Sequence, residues 1–188
     1  MTMRRFLLPI IILLTLSGCM GGVSVWASDE AVEAAVYYST KAPSITLVTV
    51  INNKNGSGGH SSLVINASQR VVFDPAGNFK HEAAPERNDL VYGMHPAMLN
   101  AYYRFHARTE WHVVKQEIQV SPEIAELAFQ RAKEYGAVGS GFCANSVSSI
   151  LPKIPGFETI DKTLFPKKLM ANFAELQNVK TEKFYEYD

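Results

Sequence analysis

From Ile45 to Asp74 short apolar runs alternate with turn residues, and no other stretch constrains the fold as strongly. Ile45 to Ile51 is followed by a glycine-rich loop from Asn52 to Gly59, then by His60 to Ile65, the turn Asn66 to Gln69, and Val71 to Asp74. Runs this short, rich in Val and Ile and broken by Gly, Asn and Ser, predict an antiparallel meander. The middle strand opens on His60, directly after Gly58 and Gly59. That placement predicts an imidazole facing a cleft, with Asp74 beside it one strand later. The loop from Asn52 to Gly59 is either a mobile lid or a plain hairpin connection.

Downstream, helix and strand signals follow one another. Asp29 to Tyr38 predicts a helical turn or two with acids at its start, where the macrodipole favours them. Pro75 to Asn78 is a turn, His81 to Asp89 a polar surface loop, and Leu90 to Met94 a short strand. Pro96 to His106 reads as an aromatic-rich helix. Trp111 to Val120 alternates apolar and polar residues and predicts a strand. Ser121, Pro122 and Glu123 then open a helix whose apolar face runs through Ile124, Leu127, Ala128 and Tyr135 to Gly136. After Gly139-Ser140-Gly141-Phe142, helical spacing joins Cys143, Val147, Ile150 and Leu151. Pro152 and Pro155 close that helix. A last helix is predicted from Pro166 to Leu176, followed by a charged tail. The fold class is α+β, a mainly antiparallel sheet with packed helices, in a single domain over residues 29–188.

The N-terminus carries an address. Arg4 and Arg5 precede an apolar run from Phe6 to Leu16, too short to span a bilayer but suited to the core of a signal peptide. The run ends in Leu16-Ser17-Gly18-Cys19, which resembles a bacterial lipobox. That resemblance implies removal of residues 1–18, acylation of Cys19 with palmitate-type chains, and a membrane-tethered lipoprotein with residues 19–28 as tether. The absence of an aspartate just after Cys19 implies, by the same resemblance, the outer membrane, facing the periplasm. Cleavage after Val25-Trp26-Ala27 is the alternative. Loss of Arg4 and Arg5 from 18 basic residues, against 18 acidic, leaves the chain near-neutral and without a basic run. Nucleic acid is therefore not an expected partner.

Only two cysteines occur. With Cys19 acylated, Cys143 has no disulfide partner, and a lone thiol in an oxidising compartment is either buried or used. At a helix start its thiolate is favoured by unpaired N–H groups, and an imidazolium nearby favours it further. Gly139 to Gly141 allow close approach by a substrate, and the Cys143 amide is a candidate oxyanion donor. His60 and Asp74 are the candidate base and its orienting group.

A histidine opening a strand, a polar residue on the next strand, and much later Phe142-Cys143-Ala144-Asn145-Ser146-Val147 at a helix start resemble the circularly permuted papain-like hydrolases. This is the NlpC-type superfamily, which includes the lecithin retinol acyltransferase-like branch. The resemblance implies a permuted papain-like fold, with Cys143 as nucleophile, His60 as general base and Asp74 as the residue that orients it. It also implies cleavage or transfer at an amide, ester or thioester, and a peptidoglycan peptide or lipid acyl group as substrate.

Against this stands a chain of another class. A non-catalytic envelope lipoprotein would work by binding or assembly, with Cys143 a core thiol. The aromatics Tyr102, Tyr103, Phe105 and Trp111 either belong to the core or line an acyl groove. His81, His95, His106 and His112 have no partner at metal-ligand spacing. A zinc site from His60, Asp74 and His81 is open by residue type, but no motif supports it, so no metal or cofactor is expected.

Overall fold

Burial along the whole run from Ser44 to Ile51 identifies an interior strand, covered on both faces. The computed structural model describes residues 22–187, so the expectations for the signal segment and Cys19 lie outside the described residues. The strands are β1 (Ser44–Asn52), β2 (Gly58–Asn66), β3 (Arg70–Phe73), β4 (Glu86–Arg87), β5 (Leu90–Val91), β6 (Trp111–Gln119) and β7 (Lys180–Tyr185). They form one seven-stranded sheet in the order β4-β5-β3-β2-β1-β6-β7. Every neighbouring pair is antiparallel. The helices are α1 (Asp29–Ala35), α2 (Pro96–His106), α3 (Pro122–Tyr135), α4 (Cys143–Ile150) and α5 (Pro166–Ala174), which makes the fold α+β.

Alternation on β1 sends residues to two cores, as the strand period of two requires. Ile45 and Leu47 pack with Leu63, Ile65, Val147, Ile150, Leu169 and Phe173, under α3, α4 and α5. Val48 and Val50 pack with Val64, Val72, Met98, Tyr102 and Val113, under α2. Helix α4 is held by Val147 and, just past its end, Leu151, both fully buried. Each such side chain contributes about 1.5–3 kcal/mol relative to exposure. Cys143, at the first position of α4, is thereby fixed against the start of β2.

Several boundaries differ from the sequence reading. Helix α1 stops at Ala35, because none of its residues is buried and the chain turns extended at Val36. The buried stripe of α3 is Ala125, Ala128, Phe129 and Ala132, whose alanines admit a close approach to the core. Within the polar loop from His81 to Asp89, Glu86–Arg87 pairs with β5. The strand predicted to Met94 ends at Val91, and Gly93 turns the chain at φ 75°. The charged tail contains β7, whose backbone pairs with β6 from Lys180 to Tyr185. Residues 22–28, assigned to a tether, include a docked segment. The Ala27 amide donates to the Glu86 carbonyl at 3.0 Å, that of Asn88 to the Val25 carbonyl at 2.9 Å, and the Arg87 guanidinium covers Trp26.

Candidate active site

His60 pairs with Val50 across β2 and β1 and projects to the α2 side of the sheet. Asp74 follows β3 on that same side, its amide donating to the Asp89 carbonyl at 2.7 Å. Its backbone carbonyl also accepts from Gly77, so one residue serves both a turn and a site. Gly77 is required here, since a Cβ at that position would lie 1.8 Å from Asp74 Oδ2. The result is a 2.7 Å contact between His60 Nε2 and Asp74 Oδ1. With Nε2 engaged, Nδ1 is the nitrogen left for the thiol.

Cys143 comes from the opposite layer, with its thiol close enough to His60 for the imidazole to act on it. The backbone amides of Ser61 and Ala144 also favour the charged sulfur. Burial alone would push the thiol up; the His60 imidazole and these two amides outweigh it, and its pKa is lowered. Burial likewise disfavours a charged His60, yet the Asp74 carboxylate and the thiol raise it from 6.5 to about 10. Asp74, buried, is held below the ordinary carboxylate value by His60 and by the Tyr102 hydroxyl. The arrangement favours thiolate, imidazolium and carboxylate in one line. His60, Asp74 and Cys143 are thus brought together from β2, the turn after β3, and α4.

Sequence reasoning missed two neighbours. The Tyr102 hydroxyl donates to Asp74 Oδ1 at 2.6 Å and lies 2.7 Å from Ser62 Oγ. His106, one turn on, stacks on the His60 ring at 5.2 Å with 14° between planes. Burial lowers the His106 pKa to about 4, so a neutral ring lies against the His60 imidazolium. Met98, Tyr102 and His106 recur every fourth residue, a spacing that marks one face of α2. What that face meets is set by the sheet.

His60, Asp74 and His106 offer metal-ligating atoms within 4.8 Å of one another. Stacked imidazoles direct their in-plane lone pairs along nearly parallel planes, which do not converge on one ion. His81, the third ligand in the zinc alternative, instead accepts from the Ala83 amide at 3.1 Å and is exposed.

A cavity of about 400 Å³ adjoins His60 and His106, walled by Phe105, Arg108 and Trp111. Gly59 makes room for the Trp111 ring, which a Cβ there would approach to 2.6 Å. Tyr102, in contrast, is fully buried core. Cys143 does not line this cavity and is 6% exposed. The loop before it is more open, with Ser140 and Gly141 exposed and Gly141 at φ 84°. Among the described residues, no helix is long and apolar enough to cross a membrane. Comparison with protein-family models, with curated proteins and with solved structures gave no match.

Proposed function

We propose that this chain is a lipid-anchored cell-envelope hydrolase or acyltransferase of the permuted papain-like type, facing the periplasm from the outer membrane. One observation carries the reading: His60 Nε2 is held 2.7 Å from the buried Asp74 carboxylate, and the same imidazole lowers the pKa of the Cys143 thiol. The order histidine strand before cysteine helix supports it further. The Cys143 thiolate attacks the carbonyl carbon of an amide or ester, and the oxyanion forms beside the Cys143 amide at the helix start, where no intrahelical acceptor exists. His60 gives its proton to the departing amine or alkoxide as that bond breaks. Neutral His60 then takes a proton from water, or from an acceptor alcohol or amine, which attacks the thioester. The C–S bond breaks and the thiolate returns. Peptidoglycan peptides and lipid acyl groups are the substrate classes.

Anchoring at Cys19 is supported by the docked segment. Cleavage after Ala27 would remove Val25 to Ala27, which hydrogen-bond to the sheet edge at Glu86 and Asn88. Cleavage before Cys19 keeps them.

The test is capture of the acyl-enzyme. The full chain in detergent is mixed with acyl p-nitrophenyl esters and, separately, with peptidoglycan stem peptides, quenched in acid, and mass-analysed. The reading predicts the acyl mass on the peptide containing Cys143, and none in Cys143→Ala. The 6% exposure of Cys143 favours the second reading, a core thiol in a binding lipoprotein. That reading predicts no adduct from any acyl donor.

A further inference from the structure

A second cavity, of about 470 Å³, opens on the α2 face of the sheet, toward the end of β1 away from His60. Leu99 and Tyr103 of α2 form one wall. Beyond them the sheet face is paved with polar side chains, Ser44 and Thr46 of β1, Asn66 at the end of β2, and Gln119 of β6. The Oδ1 of Asn66 is buried there without a hydrogen-bond partner.

Arg70, at the start of β3, borders the same groove and is only 5% exposed. Its guanidinium donates to the Met94 carbonyl at 3.4 Å and to the Ser39 hydroxyl, and covers the Tyr37 ring. Among the described residues it forms no ion pair. A buried cation without a counter-charge is costly, and this one keeps donors to spare. Lys41, Lys115 and Lys180 line the groove as well, against Glu117 and Glu182, the latter bonded to Lys115 at 2.7 Å. The balance is positive, and the most buried charge is the unpaired one.

We infer that this groove binds a small polar oxyanion, a carboxylate or phosphate carried on a hydroxylated body. The Arg70 fork takes the anionic group, whose paired oxygens match two parallel N–H donors. The hydroxyls and amides of the sheet face meet the body of the ligand, and the size of the groove lies within the usual range for small-molecule sites. The site is separate from Cys143 and does not depend on the proposed chemistry there.

The test uses the full chain in detergent, titrated calorimetrically with glucuronate, with glucose 6-phosphate, and with glucose as neutral control. One or both acids bind saturably, glucose does not, and affinity falls with added salt. The stronger acid identifies the anionic group as carboxylate or phosphate. Arg70→Lys keeps the charge but loses the fork and weakens binding about tenfold or more. The double variant Lys41→Ala, Lys180→Ala, altered only at exposed positions, also weakens it, and Cys143→Ala leaves it unchanged. Absence of saturable binding by both acids overturns the inference. So does binding that survives in the Arg70 and lysine variants alike, which would leave Arg70 as a clamp on Tyr37 and Ser39.

Discussion

Tyr102 gives its hydroxyl proton to Asp74, so its effect on the site is separable from its bulk. Tyr102→Phe keeps the ring and deletes a hydrogen bond to a buried charge. We expect about 1.5–3 kcal/mol of lost stability near neutral pH, read by denaturant unfolding. The two stacked histidines give the pH dependence opposite limbs. His106 titrates at about 4 in the fold against 6.5 ordinarily, so the unfolded chain binds its proton first and stability falls as pH drops from about 6.5 to 4. His60 is raised to about 10, so its contribution is complete below about 6.5 and is lost as pH rises toward 10. His106→Phe should flatten the acid limb and His60→Gln the alkaline one, in unfolding curves taken across that range. At this scale the sequence named His60, Asp74 and Cys143, because residue type and strand start carry their chemistry. Tyr102 and His106 escaped because an aromatic helix face looks the same whether it meets apolar side chains or a carboxylate.

Elements position these side chains, and Asp89 links two of the segments. Its Oδ2 accepts from the Ala76 amide at 3.0 Å, in the turn that aims Asp74, and from the Val138 amide at 2.9 Å, in the loop leading to Cys143. Asp89→Ala leaves both amides short of a partner, at a cost of about 1–3 kcal/mol. We expect lower thermal stability together with slower alkylation of Cys143 in the folded state. Helices α2 and α3 were legible because Pro96, Ser121 and Pro122 mark their starts in the local chain. Strand β7 was not. Lys180 to Lys183 are exposed, so no buried face writes a period into them, and the strand exists through backbone pairing with β6. Ending the chain at Val179 would bare the edge of β6. Size-exclusion chromatography should then show self-association absent from the full chain.

For the whole molecule, the anchor and the domain make one prediction. In a bacterial host the wild-type chain should fractionate with membranes, and Cys19→Ala should release it, since acyl chains rather than a spanning helix are proposed to hold it there. The α+β class was readable from the short apolar runs between Ile45 and Asp74, the alternation in β6 and the helix signals, whereas the covering of β1 on both faces was not. The groove at Arg70 was not, because it arises from strands distant in sequence. Meeting of the histidine strand and the cysteine helix is the central claim, and it has a direct measurement. The rate of iodoacetamide labelling of Cys143 is followed against pH in the full chain, wild type and His60→Ala. The account predicts labelling of the folded wild-type protein with an apparent pKa below the free-thiol value of about 8.5, rising when His60 is removed. A thiol that resists labelling until the protein is denatured, or whose pKa is the same in both proteins, would contradict it.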